Sequence, residues 1–64
     1  MALLRNYTKE NYEITEYTAG GNVRDVFGTI LYSWTNYWTP DNSRHEKTQK
    51  QINEIEKQLG ITII

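Results

Sequence analysis

This sequence is short and contains no cysteine, which limits the ways in which it can stabilise a fold. Its 64 residues include no cysteine and one histidine, so neither a disulfide framework nor a thiolate metal site can support a small core. A domain of about 60 residues buries only about 60% of the surface of its unfolded chain, which leaves little margin of stability. Short natural chains compensate with disulfides, a metal or a partner subunit. We therefore expect a single small domain, residues 1–64, that is supported by association.

The clearest local pattern lies in the last third of the chain. Ser43 is followed three residues later by Glu46, which is the pattern of a capping box at a helix N-terminus. Gly60 stands where a glycine in the left-handed conformation commonly ends a helix. The sequence therefore predicts a helix over residues 44–59. Its narrow seam, spaced at intervals of three and four, consists of His45, Thr48, Ile52, Ile55 and Leu59.

Two signals conflict over residues 22–38. The segment is rich in Val, Ile, Thr, Tyr and Trp, which favour strands, and it contains Gly28. On a helix, however, most of its apolar side chains fall within one arc of about 140°. As a strand, the same side chains divide between two faces, and a short chain has little material with which to cover both. We therefore favour a helix over a strand. The residues in the arc are Val23, Val26, Phe27, Ile30, Leu31, Trp34, Tyr37 and Trp38.

The remaining segments complete the predicted fold. Residues 12–18 alternate in polarity and predict a strand, whereas residues 1–10 carry only a weak signal for a loose turn or a short helix. The tail at residues 61–64 is strand-like. The predicted class is thus α+β but mainly α, with an N-terminal strand, an antiparallel helical hairpin and a short C-terminal strand. The alternative is a ββα arrangement with its hairpin turn at Gly20-Gly21.

Catalytic and metal-binding patterns are weak. His45 could pair with Asp41 or Glu46 for acid–base work, but no nucleophile, oxyanion donor or phosphate-binding loop accompanies it. No two ligand types stand at zinc spacing, and no acidic loop is of the calcium type. We therefore predict that the chain is not an enzyme and that it uses no metal or other cofactor.

The predicted order of a strand followed by two helices resembles that of ribbon-helix-helix repressors, which are dimeric DNA-binding proteins. In such proteins the strand enters the major groove, but here it carries Glu13 and Glu16, which would repel phosphate. The basic residues Arg44, Lys47 and Lys50 lie instead at the start of the C-terminal helix. Because the net charge is −1 and evenly spread, DNA binding is the alternative function and not the favoured one.

The aromatic residues of the middle segment favour protein association. The apolar face of the first predicted helix is wider than the seam of the second can cover, and Trp and Tyr at the margin of a core are common anchors of interfaces. We therefore predict a non-enzymatic interaction or assembly module that binds itself or another protein, as would suit a small viral or mobile-element accessory protein. The predicted contact residues are Phe27, Tyr32, Trp34, Tyr37, Trp38, Ile61, Ile63 and Ile64.

The cellular location is predicted from what the sequence lacks. It has no run of about 20 apolar residues, which a membrane helix requires, and its first residues carry no signal-peptide core. Together with the absence of cysteine, these features predict a cytoplasmic, reducing location without membrane contact.

Overall fold

The computed structural model describes residues 2–63. In this part of the chain, four strands precede one helix: β1 (Leu3–Lys9), β2 (Tyr12–Tyr17), β3 (Gly20–Arg24), β4 (Ile30–Thr35) and α1 (Glu46–Leu59). The strands are antiparallel and lie in the order β1-β2-β3-β4, so each pairs with its neighbour along the chain. β2 and β3 are therefore the central strands, and β1 and β4 are the edges.

Short turns set this order. Two-residue loops at 10–11 and 18–19 join β1 to β2 and β2 to β3, and loops of this length connect antiparallel strands directly. Glu10 takes a positive φ of 55° in the first loop. The longer connection at 25–29 joins β3 to β4, and an extra residue in β4, Leu31, forms a bulge that shifts the register of this pair.

One face of the sheet is packed against α1. Strand alternation puts Ile14 of β2 and Val23 of β3 on that face, where they join Ile52 and Ile55 of the helix in one core cluster. The opposite face is mainly polar. Its aligned side chains across the first three strands include Asn6, Thr15 and Asn22. The complete set of buried core residues is Ile14, Val23, Trp34, Ile52, Ile55, Ile61 and Ile63.

Trp34 of β4 enters the core over a glycine of β3. Gly21 lies opposite Trp34 in the ladder. A Cβ atom at Gly21 would collide with the indole ring and would lie 2.7 Å from the backbone oxygen of Thr15. The indole Nε1 donates to Oδ1 of Asn36 at 2.8 Å, which satisfies the polar atom of the ring inside the core. The missing side chain at Gly21 therefore makes room for the largest residue of the core.

The helix predicted over residues 22–38 is wrong. β3 ends at Arg24 and β4 begins at Ile30, and Gly28 between them has a left-handed φ of 84° that an α-helix does not contain. Helical periodicity misled because it treats every apolar residue as a member of one core. In the structure Val23 and Trp34 are buried, whereas other apolar residues of the segment remain exposed. Strand propensity was therefore the better signal.

The predicted mainly α class with a helical hairpin is corrected accordingly to a mainly β fold with one helix among the described residues. The ββα alternative is incorrect as well, because four strands precede the helix. Its proposed hairpin turn at Gly20-Gly21 is misplaced, since both glycines lie within β3 and the turn is formed by residues 18–19.

The prediction of a C-terminal helix is confirmed, but its predicted N-terminus is wrong. α1 begins at Glu46, and His45 is the N-cap residue, because its Nδ1 accepts a hydrogen bond from a first-turn backbone N–H at 3.1 Å. Ser43 is engaged elsewhere, with its Oγ 2.8 Å from the hydroxyl oxygen of Thr39. The capping box is therefore not formed. At the other end Gly60 closes the helix with φ 72°, as predicted.

The two ends of the chain differ from their predictions. The strand predicted over residues 12–18 is confirmed as β2, but residues 1–10 contain β1 and not a loose turn or a helix. The predicted C-terminal strand is not formed by the described residues. Ile61 and Ile63 are buried in the core outside any strand, and Ile64 lies outside the described part of the chain.

Candidate interaction surface

The predicted contact residues are divided between the core and separate parts of the surface. Trp34, Ile61 and Ile63 are buried, and Tyr32 packs against the core from its margin. Phe27 is exposed in the connection between β3 and β4. Tyr37 and Trp38 are exposed in the connection between β4 and α1. The aromatic residues of the described chain therefore form no cluster, and the continuous aromatic face predicted from the sequence is absent there.

Four exposed apolar side chains lie close together in sequence where β3 turns into β4. We call Val26, Phe27, Ile30 and Leu31 the hairpin surface. Phe27 is 89% exposed and Val26 is 69% exposed. Single exposed apolar residues are ordinary on protein surfaces, but grouped ones mark sites of contact with other molecules. The hairpin surface is thus the first candidate site.

Asp25 holds the tip of this hairpin in one conformation. Its Oδ1 accepts hydrogen bonds from the backbone N–H groups of Phe27 and Thr29, each at 2.9 Å. The backbone of Asp25 also bonds to Thr29 at 3.0 Å and to Gly28 at 3.1 Å. Gly28 supplies the positive φ that closes the turn. The exposed ring of Phe27 is therefore carried by a hydrogen-bonded turn.

The edge of β4 adjoins the hairpin surface. At its end, the backbone N–H of Thr35 donates to Oε1 of Gln51 at 3.1 Å, and Nε2 of Gln51 donates to the carbonyl oxygen of Thr35 at 2.9 Å. The side-chain amide thus makes the two hydrogen bonds that a residue of a further strand would make. These bonds also show that Thr35 directs its backbone polar groups away from β3.

A second apolar surface lies at the opposite end of β3. Leu4, Thr18, Ala19, Trp38 and Asn42 line an open groove of about 540 Å³. The indole Nε1 of Trp38 donates to the carbonyl oxygen of Thr18 at 2.8 Å, which fixes the ring beside the turn between β2 and β3. The groove and the hairpin surface are therefore separated by the length of the sheet.

A buried ionic network attaches β1 and the connection after β4 to the centre of the sheet. Glu16 is 2% exposed, and its carboxylate oxygens lie 2.9 Å from Nε of Arg5 and 3.0 Å from Nη2 of Arg44. Nδ2 of Asn36 donates to the same carboxylate at 3.0 Å. A buried carboxylate requires such partners because its removal from water is costly. This network therefore serves the fold.

Tyr7 of β1 lies near this network. Burial raises the pKa of its hydroxyl, an effect that the nearby guanidinium of Arg5 partly offsets. The hydroxyl oxygen is buried and has no hydrogen-bond partner among residues 2–63. Tyr7 therefore contributes its ring to the packed face, and its hydroxyl adds no contact there.

Of the basic residues of the DNA-binding alternative, Lys47 and Lys50 are exposed on α1, whereas Arg44 is engaged by a buried carboxylate. Glu16 is internal, and Arg44 is bound to it. The ammonium of Lys47 lies 5.7 Å from the ring centroid of Tyr37, and Lys50 is exposed on α1. The described residues contain one helix, so the strand-helix-helix order that resembled ribbon-helix-helix repressors is absent.

Sequence reasoning missed two residues that shape the candidate site. Asp25 lies within the segment predicted as a helix, although Asp25 followed by Gly28 between two β-rich runs is typical of a turn. Gln51 carried no local signal, because its partner Thr35 lies 16 positions away in the chain. A local turn signal could therefore have identified Asp25, but no local signal could have identified Gln51.

Within residues 2–63, no three His, Cys, Asp or Glu side chains lie close enough together to hold a metal ion. No helix in that range is long and apolar enough to cross a membrane. No family model, curated protein or solved structure matches this chain.

Proposed function

We propose that this chain is a non-enzymatic assembly module that binds a second copy of itself through the hairpin surface. The main support is the exposure of Phe27, of which 89% is accessible at the tip of a hydrogen-bonded turn. The tips of turns are usually occupied by glycine and polar residues. A large apolar side chain held out in this way is best explained by contact with another molecule.

The energetics favour such a contact. Burial of an aromatic side chain such as Phe27 contributes on the order of 1.5–3 kcal/mol, and the other three members of the hairpin surface add to it. Because Asp25 already orders the turn, association has less conformational entropy to overcome. A domain of this size is also marginally stable alone, so burial of further apolar surface between copies would support the fold.

Phe27→Ser, with Leu3→Ser as a matched control, provides the test. Both wild-type side chains are exposed, but Leu3 belongs to the opposite edge strand. Mass should be measured by sedimentation over about a hundredfold range of protein concentration. We expect the parent chain to associate reversibly, Phe27→Ser to weaken association by at least about tenfold, and Leu3→Ser to leave it unchanged. A parent that stays monomeric over the whole range contradicts the proposal, as does an equal loss in both variants.

A further inference from the structure

We propose that two copies pair through β4, antiparallel and about a two-fold axis, so that their sheets become continuous, and that Gln51 competes with the partner strand for the end of this edge. The inference rests on the proposed self-association and specifies its geometry. It names the second copy of the chain as the occupant of the β4 edge. A pairing of this kind is isologous, because the same strand is used by both subunits.

The backbone of β4 offers free hydrogen-bonding groups at its centre. Successive residues of a strand direct their N–H and C=O groups to alternate sides. Since Thr35 faces away from β3, Ser33 two positions earlier also faces away from β3, and the register of the ladder is regular over these residues. No described residue outside the ladder bonds to the backbone of Ser33. Ser33 therefore presents a donor and an acceptor to an incoming strand.

The charge distribution fits a second copy. β4 contains no charged residue, whereas β1 carries Arg5 and Lys9. Two copies of one strand bring identical charges into one interface, so an uncharged strand can pair with itself without repulsion. Exposed Ile30 and Leu31 would be covered in the same contact.

The flanking charges favour the antiparallel direction. Asp25 precedes the first end of β4, and Lys47 lies beyond its other end, over the ring of Tyr37. An antiparallel pair brings the first end of one β4 beside the last end of the other, so each Asp25 approaches a Lys47. A parallel pair would set like charges together. The neighbouring cation Arg24 lies opposite Glu13 in the ladder between β2 and β3.

Gln51 limits this pairing. When two copies of Ser33 face each other on the axis, Leu31 of one copy stands opposite Thr35 of the other. The backbone groups of Thr35 are then needed by the partner, but they are occupied by the amide of Gln51, and the carbonyl oxygen also accepts from Oγ1 of Thr48 at 3.3 Å. The partner strand must displace this amide at both ends of the interface. Removal of the Gln51 side chain should therefore tighten the pair.

Two substitutions and one backbone measurement test the geometry. Ser33→Pro removes a donor that does not belong to the ladder with β3, which is the position where edge strands tolerate proline. We expect it to weaken association by about a hundredfold, because the hydrogen bonds exchanged at the axis are lost, while Ser33→Ala associates like the parent. Gln51→Ala should tighten association by about tenfold, and Gln58→Ala, which removes an exposed amide of α1 bonded to Glu54, should not change it.

Hydrogen exchange at the Ser33 amide in the unmodified chain keeps the inference testable if Ser33→Pro fails to fold. We expect this amide to become protected as protein concentration rises. Association that depends on Phe27 but leaves the Ser33 amide unprotected would overturn the β4 geometry and leave the proposed function intact. A parent that never associates would overturn both. Protection that arises only on addition of a different protein would overturn the choice of a second copy as the occupant.

Discussion

The two edge strands of the sheet, β1 and β4, differ in their charged side chains and in the contacts that those side chains and the strand backbones make. The charged residues of β1 are tied to the rest of the chain, since Arg5 pairs with Glu16 and Nζ of Lys9 donates to the carbonyl oxygen of Thr62 at 2.8 Å. β4 carries no charge, and the amide of Gln51 covers its last residue. Each edge strand contains one irregularity of register, so bulges do not distinguish them.

This difference separates a protected edge from an available one. Charged side chains on an edge strand oppose pairing with another chain, whereas an uncharged edge with free backbone groups permits it. Both edges are held by backbone ladders, but their side-chain attachments differ, because β1 adds an ion pair and β4 adds the packing of Trp34 over Gly21. Substitutions can therefore change the protection of an edge strand against pairing with another chain separately from its attachment to the sheet.

The largest effect is expected from Glu16→Ala, which releases β1. The change leaves Arg5 and Arg44 without their carboxylate, and breaking a buried charge pair lowers the free energy of unfolding by about 3 kcal/mol. Urea denaturation followed by circular dichroism measures the loss. Glu13→Ala is the control on the same strand, because Glu13 is less buried, makes one 3.5 Å hydrogen bond with Asn6 and belongs to no ion pair within 4 Å among the described residues, so its loss should change stability by less than about 0.5 kcal/mol. Equal losses in the two variants would show that β1 is not attached through Glu16.

A smaller effect on stability is expected from Gly21→Ala, which disturbs the packing of β4 on β3 at Trp34. The new methyl group overlaps the ring of Trp34 and approaches the backbone of Thr15, so overpacking should cost about 1–3 kcal/mol. Denaturation followed by tryptophan fluorescence measures this cost. Because packing and not charge is disturbed, the loss should be the same at low and high salt. A variant as stable as the parent would contradict the close packing of Trp34 on Gly21.

The smallest effect on stability is expected when a charge is placed on the available edge. Leu31→Lys gives β4 a charge of the kind that β1 has, and as an exposed substitution it should change the free energy of unfolding by less than about 0.5 kcal/mol. It should nevertheless weaken self-association, because a charged side chain then replaces an apolar one on the edge strand that pairs. Sedimentation and thermal melting of the same samples separate the two properties. Lys9→Leu, on the other edge, should leave association unchanged, and undiminished association of Leu31→Lys would remove the distinction between the edges.

The elements that were predictable from the sequence are those that near neighbours define. The seam of α1 and its end at Gly60 follow from residues three or four positions apart, and the structure confirms both. The start of α1 was misjudged because Ser43 is engaged by Thr39 within the connection after β4. His45 takes the N-cap position instead, and its backbone N–H donates to the carbonyl oxygen of Tyr37. The choice between two suitable caps was thus made by contacts outside the helix.

The middle of the chain was mispredicted because its pattern does not record which apolar residues are covered. Val23 and Trp34 are core residues, but Phe27 lies between them in sequence and is almost fully exposed. Helical periodicity counts Val23, Phe27 and Trp34 equally as apolar residues of one face, whether they are buried or exposed. The hairpin surface, which is part of the candidate site, was therefore only partly anticipated, through Phe27.

Residue types and near-neighbour patterns specify the helix near the C-terminus, the strand at β2, the uncharged composition of β4 and the lack of any disulfide. These properties depend on composition, or on residues that are three or four positions apart in a helix or two positions apart in a strand. The burial of Glu16 between Arg5 and Arg44 depends on the packed fold, because these partners lie 11 and 28 positions away in the chain. The packed fold also leaves the centre of β4 without a further strand among residues 2–63, because sheet pairing and side-chain caps such as Gln51 join residues that no local pattern connects.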